Sequence, residues 1–171
     1  MEEILYVVDG EDKFVRKTTR KEVMENALLH RCSRIIIHND NNLFLVQKRS
    51  MEKDIYPGCW DIGVAGTVNE SESYESTAIR ELMEEVGITG VSNIQLMHSF
   101  LFKLKYTSKL SNTHCKVYEL IYNGAIKPQK EEIDEVKLLE TAKVKKLMET
   151  KKFHPIGKAV FEKYLELKNI G

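Results

Sequence analysis

Between residues 66 and 88 the chain reads GTVNESESYESTAIRELMEEVGI. The second half of this run has helical period. Glu81, Glu84 and Glu85 stand at i, i+3 and i+4, which puts three carboxylates on one helix face. Like charges at that spacing repel, and a single Arg80 does not offset them. A hard divalent cation would, because Mg²⁺ or Mn²⁺ takes carboxylate oxygens and keeps positions for water and phosphate oxygens. The chemistry these residue types suit is therefore metal-assisted work on an anionic phosphate. The opposing stripe of Ala78, Ile79, Leu82, Met83 and Val86 is expected to pack on a sheet. Gly87 fits the residue just past a helix end, and Gly66, at a strand end, allows a close approach that a Cβ would block. The competing reading is a solvated acidic face with no ligand.

The elements that must hold this segment are legible around it. Residues 4–8 and 13–17 read as two strands about the turn Asp9-Gly10. Thr19-Arg20-Lys21-Glu22 fits a capping box for a short helix that fades near Leu29. Residues 34–38 and 43–48 form a second hairpin around Asn39-Asp40-Asn41-Asn42, followed by a loop at 50–61 and a Gly-containing strand at 62–68. A helix at 73–86 precedes long strands at 94–106 and 113–123 and a short one at 135–139. Helices at 141–150 and 155–168 close the chain, the second with Pro155 at its first position. Strands and helices mix without strict βαβ alternation. That favours an α/β (α+β) sandwich, a mixed central sheet flanked by helices. The expected organisation is a single domain over 1–171, with an N-terminal hairpin and short helix at 1–30, a core at 31–140 and C-terminal helices at 141–171.

The composition sets outer limits. The chain has 171 residues, 42% of them apolar, with 26 basic and 26 acidic side chains and zero formal charge. A neutral balance argues against coating nucleic acid or anionic membrane. Yet the average hides unlike regions. Residues 72–85 carry five Glu and one Arg, residues 143–152 five Lys and one Glu, and residues 13–21 five cations with no acid. Cys32, Cys59 and Cys115 give neither a disulfide framework nor a paired metal site. With no signal peptide or membrane span legible, a cytoplasmic setting is expected.

The 66–88 segment matches the Nudix box at every specified position: Gly, five residues, Glu, seven residues, then Arg-Glu-apolar-any-Glu-Glu-any-Gly-apolar. The chain thus resembles the MutT-like Nudix hydrolases. The resemblance implies a β-α-β sandwich that hydrolyses a diphosphate linked to another moiety, using Mg²⁺ or Mn²⁺. It makes Glu81, Glu84 and Glu85 the metal cluster, and Arg80 and Glu72 the charges that orient loop and helix. Among them Glu81, Glu84 and Arg80 would act in catalysis, with Glu81 one candidate general base. Gly66, Glu72 and Gly87 would shape the motif. A small-molecule diphosphate is the implied partner, and homodimers are common in the family. Glu132 and Glu135, in the acidic run before the last strand, are candidates for an extra carboxylate, against the alternative of an exposed turn.

Outside the box, Leu29-His30-Arg31, Gln47-Lys48-Arg49-Ser50 and Tyr56-Pro57-Gly58-Cys59-Trp60-Asp61 look like the branch related to type 1 isopentenyl-diphosphate isomerase. That raises allylic isomerisation as a rival, beside a non-catalytic ligand-binding domain. The isomerase pattern supplies a catalytic Cys and a metal-binding His, where this chain has Ala65 and Thr67. Val23 stands about where a partner for His30 would fall, and no Glu occurs from Thr107 to Tyr118. Alanine has no ionisable group and threonine does not replace imidazole, so hydrolysis is the favoured reaction. In this branch, basic residues at Lys48 and Arg49 contact phosphate, and strand alternation lets only one face the site. Trp60, Phe100, Phe102 and Tyr106 read as sheet core rather than base-stacking groups, and Cys59 as an ordinary thiol. His38, His98, His114 and His154 lack ligand spacing. Lys143, Lys145, Lys146, Lys151 and Lys152 read as a solvated face.

Overall fold

Alternation in one long strand sets the architecture. The computed structural model describes residues 2–106 and 109–171; the side chains of residues 100, 102, 104–106 and 109–111 lie outside that description. The expectation for Phe100, Phe102 and Tyr106 therefore falls outside the described residues. The strands are β1 (Ile4–Val8), β2 (Phe14–Thr19), β3 (Leu29–His38), β4 (Phe44–Arg49), β5 (Trp60–Ile62), β6 (Val64–Thr67), β7 (Gln95–Tyr106), β8 (Lys109–Ile121) and β9 (Ile133–Leu139). The helices are α1 (Arg20–Glu25), α2 (Tyr74–Val86), α3 (Thr141–Thr150) and α4 (Pro155–Leu167).

The strand β3 runs parallel to β8 over its whole length and antiparallel to β6, β1 and β4 at successive points. Mixed pairing of this kind is the expected α/β sandwich with a mixed sheet. Ile35 and Ile37 of β3 join Leu45, Val64, Ala78, Leu82, Val86 and Leu120 in a core under α2. Ile36 joins Phe44, Trp60, Val117, Val144 and Phe161 in a second core under α3 and α4. Successive residues of one strand thus serve opposite faces. Trp60 is buried in that second core, as expected.

Local chemistry explains most boundaries. Ser73 Oγ accepts from Ser76 N at 3.0 Å, and Ser76 Oγ accepts from Ser73 N at 2.9 Å, a reciprocal cap that starts α2. Gly87 ends it at φ 69°, with Ile88 N donating to Leu82 O. Thr19 caps α1 as expected, but that helix stops at Glu25 because Ala27 takes φ 51° and β3 already begins at Leu29. The single strand expected at 62–68 is two strands. Gly63, at φ 61° with its Cα against the Ile35 carbonyl, breaks them apart.

One sequence expectation is overturned inside α2. Met83 is exposed, whereas Glu81 and Glu85 are buried, at 8% and 6% exposure. The buried stripe is rotated toward the acidic side and runs from Thr77 through Glu81, Glu85, Ala78 and Leu82 to Val86. Burying Leu82 and Val86 contributes roughly 1.5–3 kcal/mol each, which helps to hold two carboxylates where solvent would otherwise keep them.

Candidate active site

A cleft of about 720 Å³ opens where α2 meets the ends of β3 and β6. Glu81, Glu84 and Glu85 border it, with Gly66, Arg80, Arg49 and Glu132. Residue 66 fits between β6 and α2 only as glycine, since a Cβ there would overlap the Glu81 carboxylate. Arg80 is the hub of the local charge. Its Nε donates to Glu72 Oε1 at 2.7 Å, Nη1 to Glu81 Oε1 at 2.6 Å and to Glu84 Oε2 at 2.8 Å, and Nη2 to the Thr67 carbonyl at 3.2 Å. Glu72 is itself fixed by Asn69 N and Thr77 Oγ1 and held below the usual carboxylate range, burial being outweighed by these hydrogen bonds and Arg80. Arg80 and Glu72 thus tie the loop before α2 to the helix and to β6.

Two carboxylates remain electrostatically strained. Burial and the neighbouring Glu85 push Glu81 up to about 7, against the opposing pull of Arg80. Burial likewise raises Glu85, whose carboxylate accepts a hydrogen bond from Gln47 Nε2 at 3.0 Å. The donor set is all oxygen, it is under-compensated, and Gly66 leaves it a cradle. These features fit a hard divalent ion. Among the described residues no three His, Cys, Asp or Glu groups are already drawn together at metal-ligand spacing. Arg80 spans Glu81 and Glu84 instead, so a bound ion would share or displace that contact.

The basic candidates divide. Arg49 borders the cleft and Lys48 does not. Arg49 Nε and Nη2 donate to the carbonyls of Tyr56 and Ile55, so this guanidinium also holds the 50–59 loop. The acidic candidates divide as well. Glu132 borders the cleft and pairs with Lys53, while Glu135 is exposed on β9, pairs with Lys137 and lies away from it.

Several residues that line or support the cleft escaped the sequence reading. Lys53 sits by the carboxylates, and burial lowers its pKa. Gln47 positions Glu85. Arg34, buried, makes a two-point ion pair with Asp61 at 3.0 and 3.2 Å, and its Nη2 lies 3.5 Å from His154 Nδ1. Burial lowers His154 to about 3, so its ring is neutral near pH 7. Its signal was present as the His154-Pro155 helix start, but nothing local placed it near residue 34. Cys59 is buried and does not border the cleft.

The fold and the α2 cluster define a class. The structure resembles DR0079 from Deinococcus radiodurans, with a TM-score of 0.75 at 20% identity over 94% of this chain and 98% of that one. It also resembles a MutT protein from Methanosarcina mazei Go1, at 0.66 and 22% identity over 84% and 96%. This is the Nudix fold. Residues 28–163 match the NUDIX domain family, and the chain belongs to it. Sequence relatives include the uncharacterized Nudix hydrolase SCO1686 of Streptomyces coelicolor, 34% identical over 77% of this chain and 71% of that protein. Another is the uncharacterized Nudix hydrolase PA4841 of Pseudomonas aeruginosa, 30% identical over 80% and 78%.

Proposed function

We propose that this Nudix hydrolase cleaves the diphosphate linkage of a small nucleoside-linked or otherwise substituted diphosphate, by attack of water on phosphorus. The observation that carries the reading is the juxtaposition of Glu81, Glu84 and Glu85 on one cleft, braced by Arg80 and Glu72. Glu81, Glu84 and Glu85 would hold Mg²⁺ or Mn²⁺, which when bound neutralises charge developing on the phosphate oxygens. Glu81, which borders the cleft beside Gly66, is one candidate to take a proton from water. Glu132, held by Lys53 at the cleft rim, is the second candidate for that role. Arg49 and Lys53 supply positive charge to the substrate diphosphate. A structure of similar fold, the NUDIX domain of Shewanella oneidensis NrtR, is complexed with ADP ribose, a ligand of this class (TM-score 0.62, 20% identity, 87% of this chain and 98% of that one).

Isomerisation is disfavoured by the cleft itself. Ala65 and Thr67, standing where that branch would place Cys and His, both line it and bring a methyl and a hydroxyl. Among the described residues no helix is long and apolar enough to cross a membrane. The test is release of monophosphate from a diphosphate panel with Mg²⁺ or Mn²⁺. Activity that needs the metal and collapses in Glu84→Gln and Glu85→Gln supports the reading; activity unchanged in both variants overturns the site.

A further inference from the structure

The register of β3 against β8 brings together two thiols that lie far apart in the chain. Cys32 and Cys115 are paired residues of these parallel strands. Paired residues point to the same face of a sheet. Here that face is the one under α3 and α4: Cys115 is part of the core there, and Cys32 packs against it. Neighbouring strands run about 4.7–4.9 Å apart. A disulfide joins residues whose Cα atoms are about 4.4–6.8 Å apart, so the sheet already holds this pair within bonding reach. Both are free thiols in this structure.

The two thiols are unequal. Cys32 is half-buried and borders the cleft, whereas Cys115 is fully buried and does not. A hydrogen bond with the Cys115 thiol holds Cys32 below the ordinary thiol range, against burial, and Arg34, two residues along the same face of β3, adds to the effect. The same hydrogen bond and burial push Cys115 well up. One thiol therefore ionises on the open side while its neighbour keeps its proton in the core. That division suits an attacking cysteine and a resolving one. Cys59 offers an internal comparison: it is buried, does not border the cleft, and is raised by burial.

Independently of the hydrolase reading, we infer that Cys32 and Cys115 form a modification site for hydrogen peroxide, which enters through the cleft, oxidises Cys32, and is followed by closure of an intramolecular disulfide with Cys115. The Cys32 thiolate attacks one peroxide oxygen. The O–O bond breaks, hydroxide leaves and is protonated to water, and Cys32 becomes a sulfenic acid. The Cys115 sulfur then bonds to the Cys32 sulfur as the S–O bond breaks, and the Cys115 proton leaves with the hydroxyl as a second water. Over both steps the thiols together lose two protons and two electrons, and one peroxide is reduced to two waters. The test treats the reduced full chain with hydrogen peroxide, alkylates the remaining thiols with N-ethylmaleimide, and reads intact mass and a peptide map. Wild type should lose two alkylatable thiols, yield one linked peptide pair holding Cys32 and Cys115, keep Cys59 alkylatable, and recover all three thiols in dithiothreitol. Cys32→Ser should form no internal disulfide. Cys115→Ala should stop at the Cys32 sulfenic acid, trapped by dimedone. Should that buried variant not fold, the wild-type map still decides. Three thiols left alkylatable, a linkage to Cys59 or between two chains, or a dimedone adduct on Cys32 of wild type with no linkage to Cys115 would overturn the site. None of these results depends on turnover, so the hydrolase reading stands or falls separately.

Discussion

The Glu81 carboxylate occupies the space that a side chain at residue 66 would need. The glycine of β6 and the glutamate of α2 are one structural unit, although fifteen positions separate them in the chain. Gly66→Ala should force the carboxylate out of the cleft. We expect kcat to fall by about 10² or more, the scale of a lost catalytic group, and stability by about 1–3 kcal/mol from overpacking. In a Glu81→Ala background the same Gly66→Ala change should cost far less stability. Denaturant unfolding of the four proteins in this cycle checks the coupling; additive losses would contradict it.

A raised carboxylate makes stability depend on pH with a defined sign. Glu81 has a folded value near 7 against an ordinary 4.5, so between those values the folded protein binds the extra proton. Its contribution therefore weakens stability as pH rises through about 4.5 to 7. His154, lowered from 6.5 to about 3, acts in the opposite sense below 6.5, so total stability hides the effect. The difference between wild type and Glu81→Gln, measured without metal, isolates it. The variant should gain on wild type across that window, by up to about 3 kcal/mol, and saturating Mg²⁺ should remove the gain.

The ion pair of Arg34 with Asp61 is buried, and Gly157 of α4 makes room for the Asp61 carboxylate. Asp61→Ala would leave a guanidinium buried without its counter-charge. Loss of about 3–5 kcal/mol is expected, read as an earlier midpoint in urea. A loss below about 1 kcal/mol would mean water already compensates Arg34.

Ala65 and Thr67 remove the groups an allylic isomerase needs. No deuterium should enter isopentenyl diphosphate incubated with the protein and Mg²⁺ in heavy water. Exchange above the metal-only control would reinstate isomerisation.

Local signals carried the fold far. Ser73 and Gly87 bound α2 through caps, and Pro155 starts α4 at its first position, signals that depend on a few neighbouring residues. The box placed the three glutamates on one cleft, but not the burial of Glu81 and Glu85. Helical periodicity alone assigned Met83 to the core, because it counts apolar residues and does not see that Gly66 opens a berth for Glu81. Strand alternation required Lys48 and Arg49 to diverge without saying which would face the site. The register of β4 with β5 and β9 decided for Arg49. The roles of Arg34, Lys53, Gln47 and His154 stayed hidden because their partners come from distant elements, as His154 meets Arg34 across 120 positions.

The central claim is that water attacks phosphorus under the control of the α2 carboxylates. Hydrolysis in ¹⁸O-labelled water, with product mass measured for wild type, Glu84→Gln and Glu85→Gln, tests it most directly. The account predicts metal-dependent turnover with one labelled oxygen on a phosphate product, and a loss of about 10² or more in either variant. Label on carbon of the released moiety, or full turnover in both variants, would contradict it.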